Sequence, residues 1–200
     1  MRVGFANFVA LVAFVFSCFS YYETAWKADN LRLYAAPQIE YADAFRGVFD
    51  AFGLPVTIAN TGARTGVALS FELTVEDVKT GEKKNYFSAE FGAWKASFKN
   101  EAEPFAPIAV AGRETLTRRI LFFPKKGETI DRLVKTEPGT YRFTLIMHAT
   151  ATDRLPVAEP EDRSVVLTFE MESDGVDYRA FNDGGSVRMN VPGYKTVVSE

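Results

Sequence analysis

The stretch LPVTIANTGARTGVALSFELTVED, Leu54 to Asp77, holds the choice on which the fold turns. Its centre, Asn60-Thr61-Gly62-Ala63-Arg64-Thr65-Gly66, is either a glycine loop that cradles a phosphate or the corner between two β-strands. A phosphate loop needs G-x-x-x-x-G-K-[ST] opening onto a helix, whose N-terminus binds the anion. Here only three residues separate Gly62 from Gly66, no Lys follows, and the next residues have strand periodicity. Leu54, Val56 and Ile58 alternate with Pro55, Thr57 and Ala59 before the corner. Leu69, Phe71, Leu73 and Val75 alternate with polar residues after it, the signature of a half-buried strand. Asn60 and Gly62 tolerate left-handed backbone angles, which lets the chain turn. The stretch is a strand, a corner and a strand.

The same period recurs downstream. VKTGEKK supplies a hairpin turn and Asn85 to Phe91 a return strand. Phe105 to Val110 and Thr115 to Phe123 are further strands, separated by Gly112. After the Pro138-Gly139 turn, Tyr141, Phe143, Leu145 and Met147 point one way, and Val165, Leu167, Phe169 and Met171 repeat the pattern. Upstream, Phe45, Val48, Phe49 and Phe52 show helical spacing and predict a short helix or irregular strand capping the core. The sum is an antiparallel immunoglobulin-like β-sandwich of seven or eight short strands.

One other element stands out. Val3 to Tyr22 carries no charged side chain and, as a helix, spans about 30 Å, the thickness of a bilayer's hydrocarbon core. Tyr21, Tyr22 and Trp26 then fall at the far interface, where amphipathic rings prefer to sit. A single-pass anchor is the leading reading. A cleaved signal peptide is disfavoured by the length and by the lack of an A-x-A site before Glu23. A lipoprotein would make Cys18 the acylated residue, but bulky Phe16 sits where a small residue is wanted. Flanking charges nearly balance, with Arg2 and the α-amino group against Lys27 and Arg32 diluted by Glu23 and Asp29. The short charged N-terminus before an anchor favours a domain outside the cytoplasm, periplasmic or extracellular. The expected organisation is an anchor at 1–22, a juxtamembrane stalk at 23–37, the sandwich at 38–173 and a tail at 174–200.

Composition removes several function classes. A net charge of −3 argues against nucleic acid, whose binders carry a basic stripe. The lone Cys18 lies in the apolar run, so the folded part has no disulfide or thiolate metal cluster. His148 is the only histidine, on the strand face opposite Tyr141, Phe143, Leu145 and Met147, and reads as an ordinary strand residue. No G-x-S-x-G elbow or nucleophile–histidine pair is buildable. Two acidic clusters, Glu159, Glu161 and Asp162, and Glu172, Asp174, Asp177 and Asp183, offer oxygen ligands but do not fit a calcium loop. Solvated turns explain them. Three basic doublets, Lys83-Lys84, Arg118-Arg119 and Lys125-Lys126, read as surface charge, with anionic lipid or an acidic partner as the sharper alternative. No catalytic, cofactor-binding or metal residue is assigned, and no enzyme activity or cofactor is expected.

The LPVTIANTGARTG and VALSFELTVED segments resemble the N-T-G corner of bacterial immunoglobulin-like or fibronectin-like envelope domains. PGTYRFTLIM is similar to the late strand of such domains, where a Tyr sits near the corner between sheets. Over residues 38–173 the chain looks like small membrane-anchored bacterial β-sandwich proteins of the envelope. It lacks the Cys pair and core Trp of true immunoglobulin domains. The resemblance implies no catalytic residues. The expected role is a protein–protein interaction at the envelope, as an accessory or assembly subunit of a membrane complex. The alternative is a module that binds carbohydrate or peptide through strand-end loops, favoured if an aromatic such as Trp94 forms an exposed platform.

Overall fold

The computed structural model describes residues 2–44, 49–94, 102–127, 132–150, 162–177, 186–192 and 197–199. Helix α1 runs Arg2–Tyr21 and ends in a π-helical turn, Tyr22–Trp26. Twelve strands follow: β1 Leu31–Ala35, β2 Gln38–Ala44, β3 Phe49–Asn60, β4 Gly66–Asp77, β5 Lys83–Phe91, β6 Glu103–Pro104, β7 Ile108–Val110, β8 Thr115–Pro124, β9 Gly139–Thr150, β10 Asp162–Ser173, β11 Val187–Asn190 and β12 Val197–Val198.

The strands close on themselves. The ladder runs β3–β8–β5–β4–β9–β10–β11–β2 and returns to β3, antiparallel at every step. This is an eight-stranded antiparallel barrel, which overturns the expected immunoglobulin-like sandwich. The deciding contacts lie on the two edges of β3. One edge pairs with β8 from Phe52↔Phe122 to Ala59↔Thr115. The other pairs with β2 through Gly53↔Glu40 and then with β1 through Ile58↔Leu33. A sandwich would leave a sheet edge there; a barrel leaves none.

Pro55 marks the place where β1 and β2 separate. Its carbonyl accepts from Ala36 N–H at 3.3 Å, so its nitrogen, which has no hydrogen, faces the same neighbour. The register changes at this point, with Ala35 opposite Val56 but Glu40 opposite Gly53. The partner strand therefore bulges where β3 has no donor to offer. Two further bulges bend the wall. The register against β9 shifts between Ala68 and Ser70, and that against β8 shifts between Ser88 and Glu90. Phe71, Leu73 and Val75 are buried as the alternation predicts, but the first bulge turns Ala68 inward and leaves Leu69 half-buried.

Aromatic rings fill the interior, as a barrel of this size requires. Phe52 meets Tyr41 at 5.1 Å, Tyr86 at 5.0 Å and Phe143 at 5.3 Å between centroids, and Phe143 stacks on Phe169 at 5.5 Å. A smaller cluster covers the outside of the wall, where Ala42, Ala51 and Leu121 pack under Trp94, with Phe123 alongside.

Several expected boundaries meet different elements. β1 lies within the segment expected as a stalk, and its Leu31, Leu33 and Ala35 are core residues. β11 and β12 lie within the expected tail; β11 completes the ring and β12 pairs with β1. The helical spacing at Phe45, Val48, Phe49 and Phe52 meets no helix among the described residues. Phe49 and Phe52 are on β3, and Phe45 and Val48 lie outside the described residues.

Phe52 touches three other rings in a sealed core, so Phe52→Ala is expected to cost about 3–5 kcal/mol, through lost burial and the cavity it leaves. Urea denaturation of the two proteins measures this.

Candidate functional site

Two constellations bring polar groups together, one at each end of the barrel. At the far end from the helix, Asp50 of β3 points inward beside Lys84 and Tyr86 of β5. Lys84 Nζ donates to Asp50 Oδ1 at 2.5 Å, and Tyr86 O–H donates to Asp50 Oδ2 at 3.0 Å. The side chains of Asp50 and Lys84 are 0% and 3% exposed. Both lie beside the end of β8, because Tyr86 is opposite Pro124. Asp50 also receives the backbone N–H of Leu133 at 3.2 Å, which holds the segment before β9 as a plug. Leu133 and Val134 are fully buried beneath it. A second bond secures the plug, from Lys135 N–H to the Tyr141 hydroxyl at 2.9 Å. Burial pushes the Tyr141 phenol above its ordinary value; the Lys135 N–H pulls it back, and the Asp77 carboxylate pushes it up again.

A buried carboxylate, ammonium and phenol can be a catalytic set. Here they are sealed from solvent and bonded to one another, and the arrangement ties β3, β5 and the plug together.

At the helix end, Asn60 is a hub. Its Oδ1 accepts from Asn30 N–H at 3.1 Å and Gly62 N–H at 3.0 Å, and its Nδ2 donates to Arg64 O at 2.7 Å and Val110 O at 3.0 Å. All the capacity of a buried amide is used. Lys27 O accepts from both Ala63 and Arg64, and Arg113 Nη2 donates to Glu23 O. The opening stretch is thus a strand connection, but not for the expected reason. Neither Asn60 nor Gly62 has a positive φ. Gly62 is needed because a Cβ there would sit 1.8 Å from Ala28 O, and Gly112 because one would sit 2.0 Å from Ala63 O. The segment after the helix, the 61–65 corner and the 111–114 turn stack in three backbone layers.

The residues singled out in the sequence are dispersed. His148 faces outward, its Nε2 3.9 Å from Glu72 Oε1. Glu172, Asp174 and Asp177 are exposed; Glu159, Glu161 and Asp183 lie outside the described residues, and Asp162 begins β10. No group able to hold a metal occurs among the described residues. Strand alternation splits the basic doublets. Lys84 turns in to Asp50 while Lys83 turns out to Glu76, and Arg119 pairs with Glu40 while Arg118 is exposed. Lys125 pairs with Glu72. Trp94 is 3% exposed and so forms no open platform.

Sequence reasoning named Asn60 as a corner residue and Lys84 as half of a basic doublet but not the bonds they make, and it gave Asp50 no role. The one available cue was Asp50 itself, a lone charge in the apolar run VFDAFGL. It also missed a regular feature of α1. Ala6, Ala10, Ala13, Ser17, Ser20 and Thr24 recur at spacings of four and three, forming a stripe of small side chains on an exposed helix. A shallow groove lies along its end, lined by Phe16, Ser17, Ser20, Tyr21 and Thr24. One helix, Ala6–Trp26, is long and apolar enough to cross a membrane, and none of it is buried against the rest of the chain.

Comparison with known proteins adds little. No family model matches the chain, and no curated protein matches it. A crystal structure of a Bordetella pertussis protein provisionally named ApaA is similar, with a TM-score of 0.40 and 15% identity over 72% of this chain and 94% of that one. Those values carry no argument about function.

Two outcomes follow from the plugged end. Asp50→Ala leaves a buried ammonium without its carboxylate and should cost about 3–5 kcal/mol, whereas Asp50→Leu combined with Lys84→Met should cost less than the single change. Denaturant titration of the three proteins gives the comparison. For Tyr141, a raised value in the folded state favours the neutral phenol. Its contribution is complete below the ordinary tyrosine value of about 10 and is lost as pH rises through the folded-state value. Tyr141→Phe should therefore cost about 1 kcal/mol at pH near 7, for the lost Lys135 bond, and the difference should shrink above pH of about 10.

Proposed function

We propose that the chain is a single-pass membrane protein whose barrel stands outside the cytoplasm and which acts without catalysis, as an accessory or assembly subunit of a membrane complex. The observation that carries this reading is the helix. No residue of Ala6–Trp26 is buried against the other described residues, and its small-residue stripe runs the length of the span. In lipid there is little hydrophobic force between helices, so close backbone approach over small side chains is what drives their association. Ser17 and Thr24 already donate to Ala13 O and Ser20 O within the helix, at 2.9 and 2.7 Å. These two hydroxyls of the stripe are thus satisfied within the helix. The alternative, a carbohydrate-binding module, loses the platform that would have favoured it, since Trp94 is buried.

The test is recovery of tagged full-length protein from its native membrane in mild detergent. A stoichiometric membrane partner should accompany the protein and be reduced at least tenfold by Ala13→Leu with Ser17→Leu, but not by Phe14→Leu on another face. Recovery of the protein alone, or equal loss with both variants, contradicts the reading. A reporter fused after Glu200 and active only in the cytoplasm overturns the orientation.

A further inference from the structure

The junction between helix and barrel fixes more than a linkage. Resting on the anchor reading above, we propose that the barrel end formed by the 61–65 corner and the 111–114 turn lies in the headgroup layer of the membrane. There Arg64 and Arg113 bind the phosphates of anionic lipids.

The argument is one of distance along the chain. Tyr21, Tyr22 and Trp26 are exposed aromatic residues at the end of the span and mark the interface. Arg113 donates to the carbonyl of Glu23, and the backbone N–H groups of Ala63 and Arg64 donate to the carbonyl of Lys27 at 3.0 and 3.2 Å. Groups bonded to residues 23 and 27 lie within one helical turn of that aromatic girdle. They cannot be held far from the bilayer surface by a flexible stalk, because Asn60 and the close approaches at Gly62 and Gly112 lock the three layers. The opposite end, with the Asp77–Glu82 turn, is one twelve-residue strand away.

The chemistry at this end suits a phosphate. Arg64 and Arg113 are both exposed. A guanidinium presents a planar fork of donors that matches phosphate oxygens, and only part of Arg113's fork is used by Glu23 O. Among the described residues of the two loops, the exposed carboxylate is Glu114; Glu23 is held by Lys27 at 2.9 Å, and Asp29 is buried. Arg113 is also the one non-glycine residue with a positive φ, +62°, among the described residues. A side chain is retained where glycine would be easier, and it is the one that reaches the helix end.

The experiment uses the full-length chain in vesicles of phosphatidylcholine and phosphatidylglycerol in equal amounts. A carbonate wash first establishes whether the protein is integral; release by the wash would refute the anchor reading and this proposal with it. Retained protein is extracted in mild detergent, and its bound lipid is weighed by mass spectrometry. Phosphatidylglycerol should be enriched over the input, and Arg64→Gln with Arg113→Gln should lower the enrichment by about fivefold per arginine. Arg64→Lys with Arg113→Lys should retain most of it, and Lys79→Gln with Lys135→Gln, at the other end, should leave it unchanged. An integral protein with no enrichment, or one whose enrichment survives the double Gln change, overturns the proposal while leaving the anchor intact.

Discussion

Both edges of β3 are occupied along its length, and the rest of the architecture follows from that constraint. A strand at the border of a sheet exposes a row of unpaired donors and acceptors. Here β8 takes one row and the bent pair β1 and β2 takes the other. The wall continues from both edges, and it closes where Glu172 of β10 faces Asn190 of β11. Closure encloses a volume set by strand number, and Tyr41, Phe52, Tyr86, Phe143 and Phe169 are large enough to fill it.

Polar groups serve the same geometry at the two ends, where a barrel is open to water. Asp50 and Lys84 would be costly charges if either stood alone in the core. Held together, and joined by Tyr86 and the Leu133 amide, they fix the plug that covers one mouth. Asn60 does the equivalent at the other mouth, with an amide whose four bonds go to three separate pieces of chain. The second mouth is also where the helix attaches, so the barrel and the helix share one set of hydrogen bonds.

Much of the wall was legible in the sequence. Leu54, Val56 and Ile58, then Phe71, Leu73 and Val75, then Tyr141 to Met147 are inward-facing residues that the period of two picks out. The period says which face is buried, but it is the same for a sandwich and a barrel, so closure was not legible. Pro55 hid it further, because a proline reads as an edge residue unless its neighbour is known to bulge. The bulge at Leu69 was also silent, since shifting the alternation by one residue exchanges Leu69 for Ala68 without changing composition. At the polar sites the limit was pairing. Asp50 and Lys84 are separated by 34 residues, and nothing local to the Lys83-Lys84 doublet distinguishes the buried lysine from its exposed neighbour. The short spacing of Asn60, Gly62 and Gly66 revealed a corner, while the backbone that makes Gly62 necessary comes from Ala28, and Gly112 is needed in turn against Ala63.

The most direct test of the closed barrel is solution NMR of the isotopically labelled full-length chain in detergent micelles, read for backbone contacts across two seams at once. The account predicts cross-strand proton contacts between Leu54 and Ile120 and between Glu172 and Asn190 in the same molecule. Finding the second pair without the first, or β3 with a solvent-exchanging edge facing β8, would mean two separate sheets and would contradict it.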